Sequence, residues 1–171
     1  MSETAVKTKV DTTCLKHFEF IEYKPEHAIE IITNGAKEPG LVFTKLTAEW
    51  AQIMGQKGPC TTGIFDGKVV SCAGIFLAWP GVGEQWAVNV KAIGDYHIDP
   101  QIGKRWLYNQ IDEYKLWRVQ VPARSDFPVG ESYLRWLGFE FEATLENYHP
   151  DGTDARMYKI ITKKYLNNKE T

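Results

Sequence analysis

From Ser125 onward the apolar and polar positions change period twice. In SDFPVGESYLRWLGFEFEATLENYHPDGTDARMYKII, Tyr133, Trp136 and Leu137 fall at helical spacing and predict one buried helix face. Asp126 is placed to cap that helix, Pro128 to sit in its first turn, and Gly138 to stop it in a left-handed conformation. Phe139, Phe141, Ala143 and Leu145 then alternate with Glu140, Glu142, Thr144 and Glu146, the period of a half-buried strand. The cluster 149–154 (HPDGTD) is turn chemistry. Met157, Lys159 and Ile161, alternating with Tyr158 and Ile160, predict a closing strand.

Upstream, residues 17–23 (HFEFIEY) alternate as a first strand, which Lys24-Pro25 ends. Pro25 can open a helix over 26–33, and Asn34-Gly35 stops it. A second helix is expected over 47–54, with Thr47 as cap and Gly55 as stop. Asp66-Gly67 between two apolar runs, 61–65 and 69–79, is a strong hairpin signal. The second run is almost continuously apolar, as a central strand would be. A turn at 80–83 leads to a strand over 85–91 (QWAVNVK). Residues 92–99 are irregular. A helix over 100–114 follows, with Asp99 as cap and Ile102, Trp106, Leu107 and Ile111 as its apolar stripe. Residues 116–121 (LWRVQV) alternate as a strand.

Strand, helix, helix, three strands, helix, strand, helix and two strands make an α/β fold: a mixed, mostly antiparallel sheet flanked by helices on both faces. A chain of 171 residues suits one domain, expected over 17–171 behind a flexible N-terminal segment, 1–16. Composition narrows the function classes. A net charge of −2 supplies no bulk field for nucleic acid or anionic lipid. Cys14, Cys60 and Cys72 are spaced neither as a disulfide framework nor as a zinc site, and no two His make a helical ligand pair, so no metal is expected. No apolar signal core or membrane-length run is present, which points to the cytoplasm.

The Arg135-Trp136-Leu137-Gly138-Phe139 form, the strand pair after it and the element order before it resemble the Gcn5-related N-acetyltransferase (GNAT) superfamily over roughly 17–162. The form is most similar to divergent GNAT-like proteins of tailed phages, some of them internal virion or core-assembly proteins. The resemblance implies acetyl-CoA as cofactor. It implies that the strand over 85–91, with Val88 and Val90, splays from its neighbour and holds the pantetheine arm. It also places the pyrophosphate at the start of the helix after Asp99, where free N–H groups and the helix dipole favour an anion. The family's loop is Gln or Arg, two residues, Gly, one residue, then Gly or Ala. With Gly103 as the first glycine, Pro100 takes the leading position and Arg105 the second small one, so the loop is degenerate. Lys104 and Arg105 bring cations to the same place, where they could equally be solvated helix charges.

Many relatives carry a Tyr four residues before the Gly of Gly-Phe, as acid to the CoA thiolate. That position is Leu134 here. Tyr133 is one residue earlier, about 100° around the helix, and reads either as that acid or as packing. A general base must accept the acceptor amine's proton. Glu84, Asp95 and His97 flank the splayed strand, and His97 has the best-matched intrinsic pKa. Each also has an ordinary turn or surface explanation. Cys72, central in a strand, reads as a small buried apolar group. Trp50 and Trp79 could line an acceptor cleft or meet a protein partner. Two functions therefore stand: an acetyl-CoA-dependent N-acetyltransferase-like protein acting on an unknown amine, or a non-catalytic protein of the same fold working through protein contacts. If the chain is phage-encoded, the second role would lie in particle assembly or host interference, and its place in the host cytoplasm or the virion.

Overall fold

Pro25, with φ already near the helical value, begins helix α1 (Pro25–Thr33) directly after strand β1 (Phe18–Glu22). The computed structural model describes residues 17–42 and 44–165, so the expected flexible segment 1–16 lies outside the described residues. Helix α2 (Lys45–Gln56) starts two residues earlier than its pattern suggests. Thr44, not Thr47, is the cap. Its Oγ1 accepts the Thr47 N–H at 3.2 Å, and Thr47 Oγ1 accepts the Thr44 N–H at 2.7 Å, a reciprocal capping box. Gly55 lies inside α2 and does not stop it. A Cβ there would come within 3.0 Å of the Tyr23 ring, whose hydroxyl donates to Ala51 O at 2.8 Å.

Strands β2 (Cys60–Phe65) and β3 (Lys68–Trp79) are joined by Asp66-Gly67, both at positive φ, as the hairpin signal requires. Then come β4 (Val82–Asn89), a short 3-10 turn (Ile93–Tyr96), α3 (Gln101–Glu113), β5 (Arg118–Arg124), α4 (Pro128–Leu137), β6 (Glu140–Leu145) and β7 (Ala155–Ile161). The seven strands lie in the order β1-β2-β3-β4-β5-β7-β6. Every neighbouring pair is antiparallel except β4 and β5. The expected mixed, mostly antiparallel sheet is therefore present.

Each sheet face has its own core. Ala28, Ile31, Ile32 and Ala51 of α1 and α2 pack on Cys72, Trp86 and Val88. Leu107, Ile111, Leu134 and Leu137 of α3 and α4 pack on Ile75, Val119, Tyr158 and Ile160. The inward face of α4 differs from the sequence expectation. Glu131, Leu134 and Leu137 are buried, whereas Tyr133 and Trp136 are 44% and 37% exposed. Glu131 is tolerated inside because Arg156 Nη1 donates to both its oxygens, at 3.0 and 2.9 Å. Asp126 does not cap α4; it is bound by Arg124 instead. Gly138 does stop the helix, at φ 106°. The Phe139 N–H bonds Leu134 O and the Gly138 N–H bonds Arg135 O, while Phe139 is buried against Leu134. In β6, the register shifts between Phe141 and Ala143, and Phe141 is left 46% exposed, edge-on to Tyr158.

Candidate cofactor and acceptor site

β4 and β5 run side by side for three register positions only, Val82–Glu84 against Arg118–Gln120, and then part. Backbone direction alternates along a strand, so one bond fixes which groups face the gap. The Val90 N–H donates to Val70 O at 3.0 Å, towards β3. Val88 and Trp86 therefore also turn their backbones to β3, and Gln85, Ala87 and Asn89 turn theirs into the gap. On the other side the Arg118 N–H donates to Gly81 O at 3.1 Å, so the even-numbered residues of β5 face the gap. Pro122 is one of them. Its missing N–H falls where no strand pairs, the one side on which a proline fits a strand.

The gap has a floor and a closed end. Ala87 is exposed although its strand lies mid-sheet. The Gln85 side chain shares the α3/α4 face with its cross-strand partner Ile75, and its Oε1 is buried without a hydrogen-bond partner. At the wide end, the connection between α1 and α2 docks on β4. The Lys37 N–H donates to Asn89 O at 2.8 Å, and the Asn89 N–H and Nδ2 donate to the Glu38 carboxylate at 3.2 and 2.6 Å. Burial pushes the Glu38 carboxyl pKa up, and its bonds from Asn89 oppose that. The Glu84–Gln120 pairing is closed by the Gln85 N–H on Gln120 O, so the backbone left without a strand partner along this edge is the Gln85 carbonyl, opposite Pro122, and Ala87. Val88 is 1% exposed and belongs to the α1/α2 core, and Val90 bridges Ala36.

The first turn of α3 lies against α4. Asp99 Oδ1 accepts the Gln101 N–H at 2.9 Å, Asp99 O accepts from Ile102, and Pro100 O accepts from Lys104 at 3.3 Å. The Gly103 N–H takes no partner among the described residues. A Cβ on Gly103 would stand 3.0 Å from the Tyr133 hydroxyl, so the glycine admits that hydroxyl to the helix start. Tyr133 stacks on Trp136 with centroids 5.8 Å apart. Lys104 Nζ donates to Trp136 O at 2.9 Å and sits over the Trp136 ring. Arg105 is exposed and unpaired among the described residues. The structure thus brings Gly103, Lys104 and Tyr133 together, with Lys104 already engaged and Arg105 free.

Glu84 sits at the vertex of the gap, on the opposite face. Its cross-strand partner Phe76 packs with the α1/α2 core. Gln120 Nε2 donates to Glu84 Oε2 at 3.4 Å. Tyr148, between β6 and β7, is near enough that partial burial and then the Glu84 charge raise its hydroxyl pKa. His97 is elsewhere: exposed, at φ 50°, and following a turn whose Tyr96 leans edge-on against Phe65 of the β2–β3 hairpin. Asp95 is exposed in that turn, its N–H bonded to Ala92 O. Cys72 is fully buried, with its thiol pushed up to about 12 by burial, which removes it as a nucleophile. Trp50 packs edge-on against Trp86, and Trp79 projects into solvent at 72% exposure. No group of His, Cys, Asp or Glu among the described residues could hold a metal ion, and no described helix is long and apolar enough to cross a membrane.

Gln85, Ala87, Glu38, Asn89, Tyr148 and Arg124 were not singled out by their patterns. Pro122 carries the one available signal: a proline within an alternating strand marks an unpaired side.

No family model matches this sequence, and no curated protein does. Solved structures do. Ard1 from Thermoplasma volcanium superposes with a TM-score of 0.70 at 15% identity, covering 85% of this chain and 97% of that one. The ribosomal-protein-S18-alanine N-acetyltransferase from Escherichia coli matches with a TM-score of 0.64 at 17% identity, covering 85% and 94%. The protein yncA from Salmonella typhimurium, solved with its cofactor acetyl-CoA, matches at 0.60 and 14%, covering 85% and 94%. At these identities the likeness establishes the fold, which is that of the GNAT acetyltransferases.

Proposed function

We propose that the protein is an acetyl-CoA-dependent N-acetyltransferase whose cofactor arm lies along the unpaired edge of β4. The observation that carries this is the gap itself. The Gln85 carbonyl and the Ala87 N–H and carbonyl are backbone groups that no strand uses, beside a buried Gln85 Oε1 without a partner among the described residues. The buried Oε1 costs free energy until something pairs it, whereas the exposed backbone of Ala87 is an open edge that a ligand can take over from water. A ligand with amide groups in an extended chain fits that edge, and the pantetheine arm is such a chain. At the start of α3, the free Gly103 N–H and the Arg105 guanidinium suit a phosphate. Lys104 is spent on Trp136, so Arg105 carries more of that charge than the sequence alone suggests. Bound there, acetyl-CoA supplies an acyl group already activated as a thioester.

The chain's own contribution is to hold the acceptor and take its proton. Glu84 is a half-buried carboxylate whose one side-chain bond among the described residues is a long one from Gln120. It is placed to attract an ammonium from the α1/α2 side of the gap and to accept its proton. Tyr148 is the hydroxyl nearest in chemistry to relay that proton or to orient the amine. Tyr133 remains a candidate for protonating the departing thiolate, because its hydroxyl reaches the α3 start. Among the described residues His97 has no contact that would give it either role. Two of the structural neighbours act on, or are named for, protein N-termini or ribosomal proteins, and an amine of that kind is the acceptor class to try first.

One observation favours the non-catalytic role. Leu134, 8% exposed, holds the helix position where a thiolate acid is expected from the resemblance. In that role the chain would act through protein contacts, which the sequence resemblance would put in phage particle assembly or on a host protein. Isothermal titration with acetyl-CoA, followed by detection of free CoA thiol in the presence of amine-bearing peptides, separates the two. Saturable heat and acceptor-dependent thiol support the enzyme. No heat at millimolar acetyl-CoA leaves the contact role.

A further inference from the structure

Arg124, the last residue of β5, is 12% exposed at its side chain and touches three separate segments. Its Nε and Nη2 donate to the two oxygens of Asp126 at 2.9 and 3.0 Å. Its Nη2 also donates to Asp151 Oδ2 and to Thr153 Oγ1, each at 2.8 Å, and Nη1 reaches Asp151 Oδ1 at 3.3 Å. Asp151 and Thr153 belong to the β6–β7 turn. That turn is closed on itself by His149 N–H to Thr153 O and Gly152 N–H to His149 O, so it moves as one piece with Tyr148 at its shoulder. The third segment is the α1–α2 connection. Gly40 comes so close that a Cβ on it would lie 2.7 Å from Arg124 Nη1 and 3.8 Å from Asp151 Oδ2. The same connection is bonded to β4 at Asn89, through Lys37 and Glu38. A continuous strap therefore runs from the end of β4 to the end of β5 across the wide end of the gap.

We propose that Arg124 is a positioning residue that locks the α1–α2 connection and the β6–β7 turn into one frame around the acceptor side of the gap, and so governs acceptor affinity rather than cofactor affinity. This rests on the acetyltransferase function proposed above. Three features argue for the frame over a simple turn-closing ion pair. The guanidinium is planar and charged at any working pH, so it can hold two carboxylates and a hydroxyl at fixed angles. Gly40 packs against the same guanidinium, where a side chain would push it away. Tyr148, carried by the turn, is the residue whose hydroxyl senses Glu84. An ion pair that only closed the turn would leave residues 36–42 indifferent to its loss.

Hydrogen exchange read by mass spectrometry on the full chain tests this directly. Arg124→Gln is expected to raise exchange about tenfold in both 36–42 and 147–154, in line with loss of charge-assisted bonds. Gly40→Ala, which attacks the strap from outside, should loosen the same two segments. The acetyl-CoA titration should stay within about twofold of wild type, while the acceptor KM rises about tenfold with a smaller change in kcat. Arg124→Lys, which keeps charge but not the fork, should recover only part of the protection. Loosening confined to 147–154, or a loss of acetyl-CoA affinity with acceptor KM unchanged, would overturn the proposal. Should Arg124→Gln fail to fold, the Gly40→Ala exchange pattern decides the frame. Absence of acetyl-CoA heat from wild type would defeat the acetyltransferase function instead, and the exchange comparison would still accept or reject the frame.

Discussion

Replacing Gly138 with Ala strains α4 in two separable ways. Gly138 holds φ at 106°, and an added Cβ would meet the Tyr108 hydroxyl at 2.6 Å. That hydroxyl donates to Leu137 O at 3.0 Å, one of the carbonyls the helix end would otherwise leave open. A non-glycine residue in the left-handed region costs about 1–2 kcal/mol. Driving the Tyr108 hydroxyl off its acceptor adds about 0.5–1.5 kcal/mol. Reduced freedom of the unfolded chain returns about 0.4–1 kcal/mol. A net loss of about 0.5–3 kcal/mol follows, centred near 2, equivalent to roughly 2–9 °C in Tm for a chain of this length. Urea unfolding followed by fluorescence gives the midpoint, with an unchanged slope expected. Tyr108→Phe removes the hydroxyl, so in that background Gly138→Ala should cost only the backbone part, and the cycle should show coupling of about 0.5–1.5 kcal/mol. An unchanged midpoint for the single variant would refute the left-handed cap, and strict additivity would refute the contact with Tyr108.

At the α3 start, Arg105→Ala should weaken acetyl-CoA binding about tenfold, the worth of one charge-assisted contact. Lys104→Ala should weaken it less, because that ammonium is already bonded to Trp136 O; calorimetry that reversed the order would contradict this division. Glu84→Gln should lower kcat while leaving acetyl-CoA affinity close to wild type, and an unaffected kcat would remove Glu84 as the base. Glu142 gives a pH test. Hydrogen bonds from Arg118 first and Lys159 second hold its carboxyl down to about 2, from an ordinary 4.5. A depressed carboxylate contributes stability that is full above its unfolded pKa and is lost as pH falls through the folded one. Wild-type Tm should therefore drop between about pH 4.5 and 2, and Glu142→Gln should show a shallower drop there. Parallel curves would mean that the cluster contributes nothing measurable, as exposed pairs often do.

The element order, the Asp66-Gly67 hairpin and the Gly138-Phe139 stop were legible because each is set by local chemistry. The face of α4 was not. Tyr133, Trp136 and Leu137 and the observed Glu131, Leu134 and Leu137 both satisfy helical spacing, so spacing alone does not separate them. What decides is Arg156 on β7, a partner 25 residues from Glu131 that makes an inward carboxylate tolerable. Thr44 and Thr47 are both residue types that cap helices, and only the reciprocal bonds single out Thr44. The candidate site was partly legible. Gly103 and Glu84 were visible as residue types in plausible places. The parity of β4, which exchanges Val88 and Val90 for Gln85 and Ala87 at the gap, depends on how β3 pairs with it, and that is a tertiary fact. Arg124 had no local signature, since its three partners come from three segments.

The central claim is that acetyl-CoA lies along the free edge of β4. Amide resonances of the ¹⁵N-labelled protein, followed during titration with acetyl-CoA, test it residue by residue. The Ala87 and Gly103 N–H signals should shift first and furthest, while those of Val88 and Val90, bonded or turned towards β3, should stay near their starting positions. Shifts centred on the β2–β3 hairpin or on α2, or a spectrum that does not change at saturating acetyl-CoA, would contradict the account.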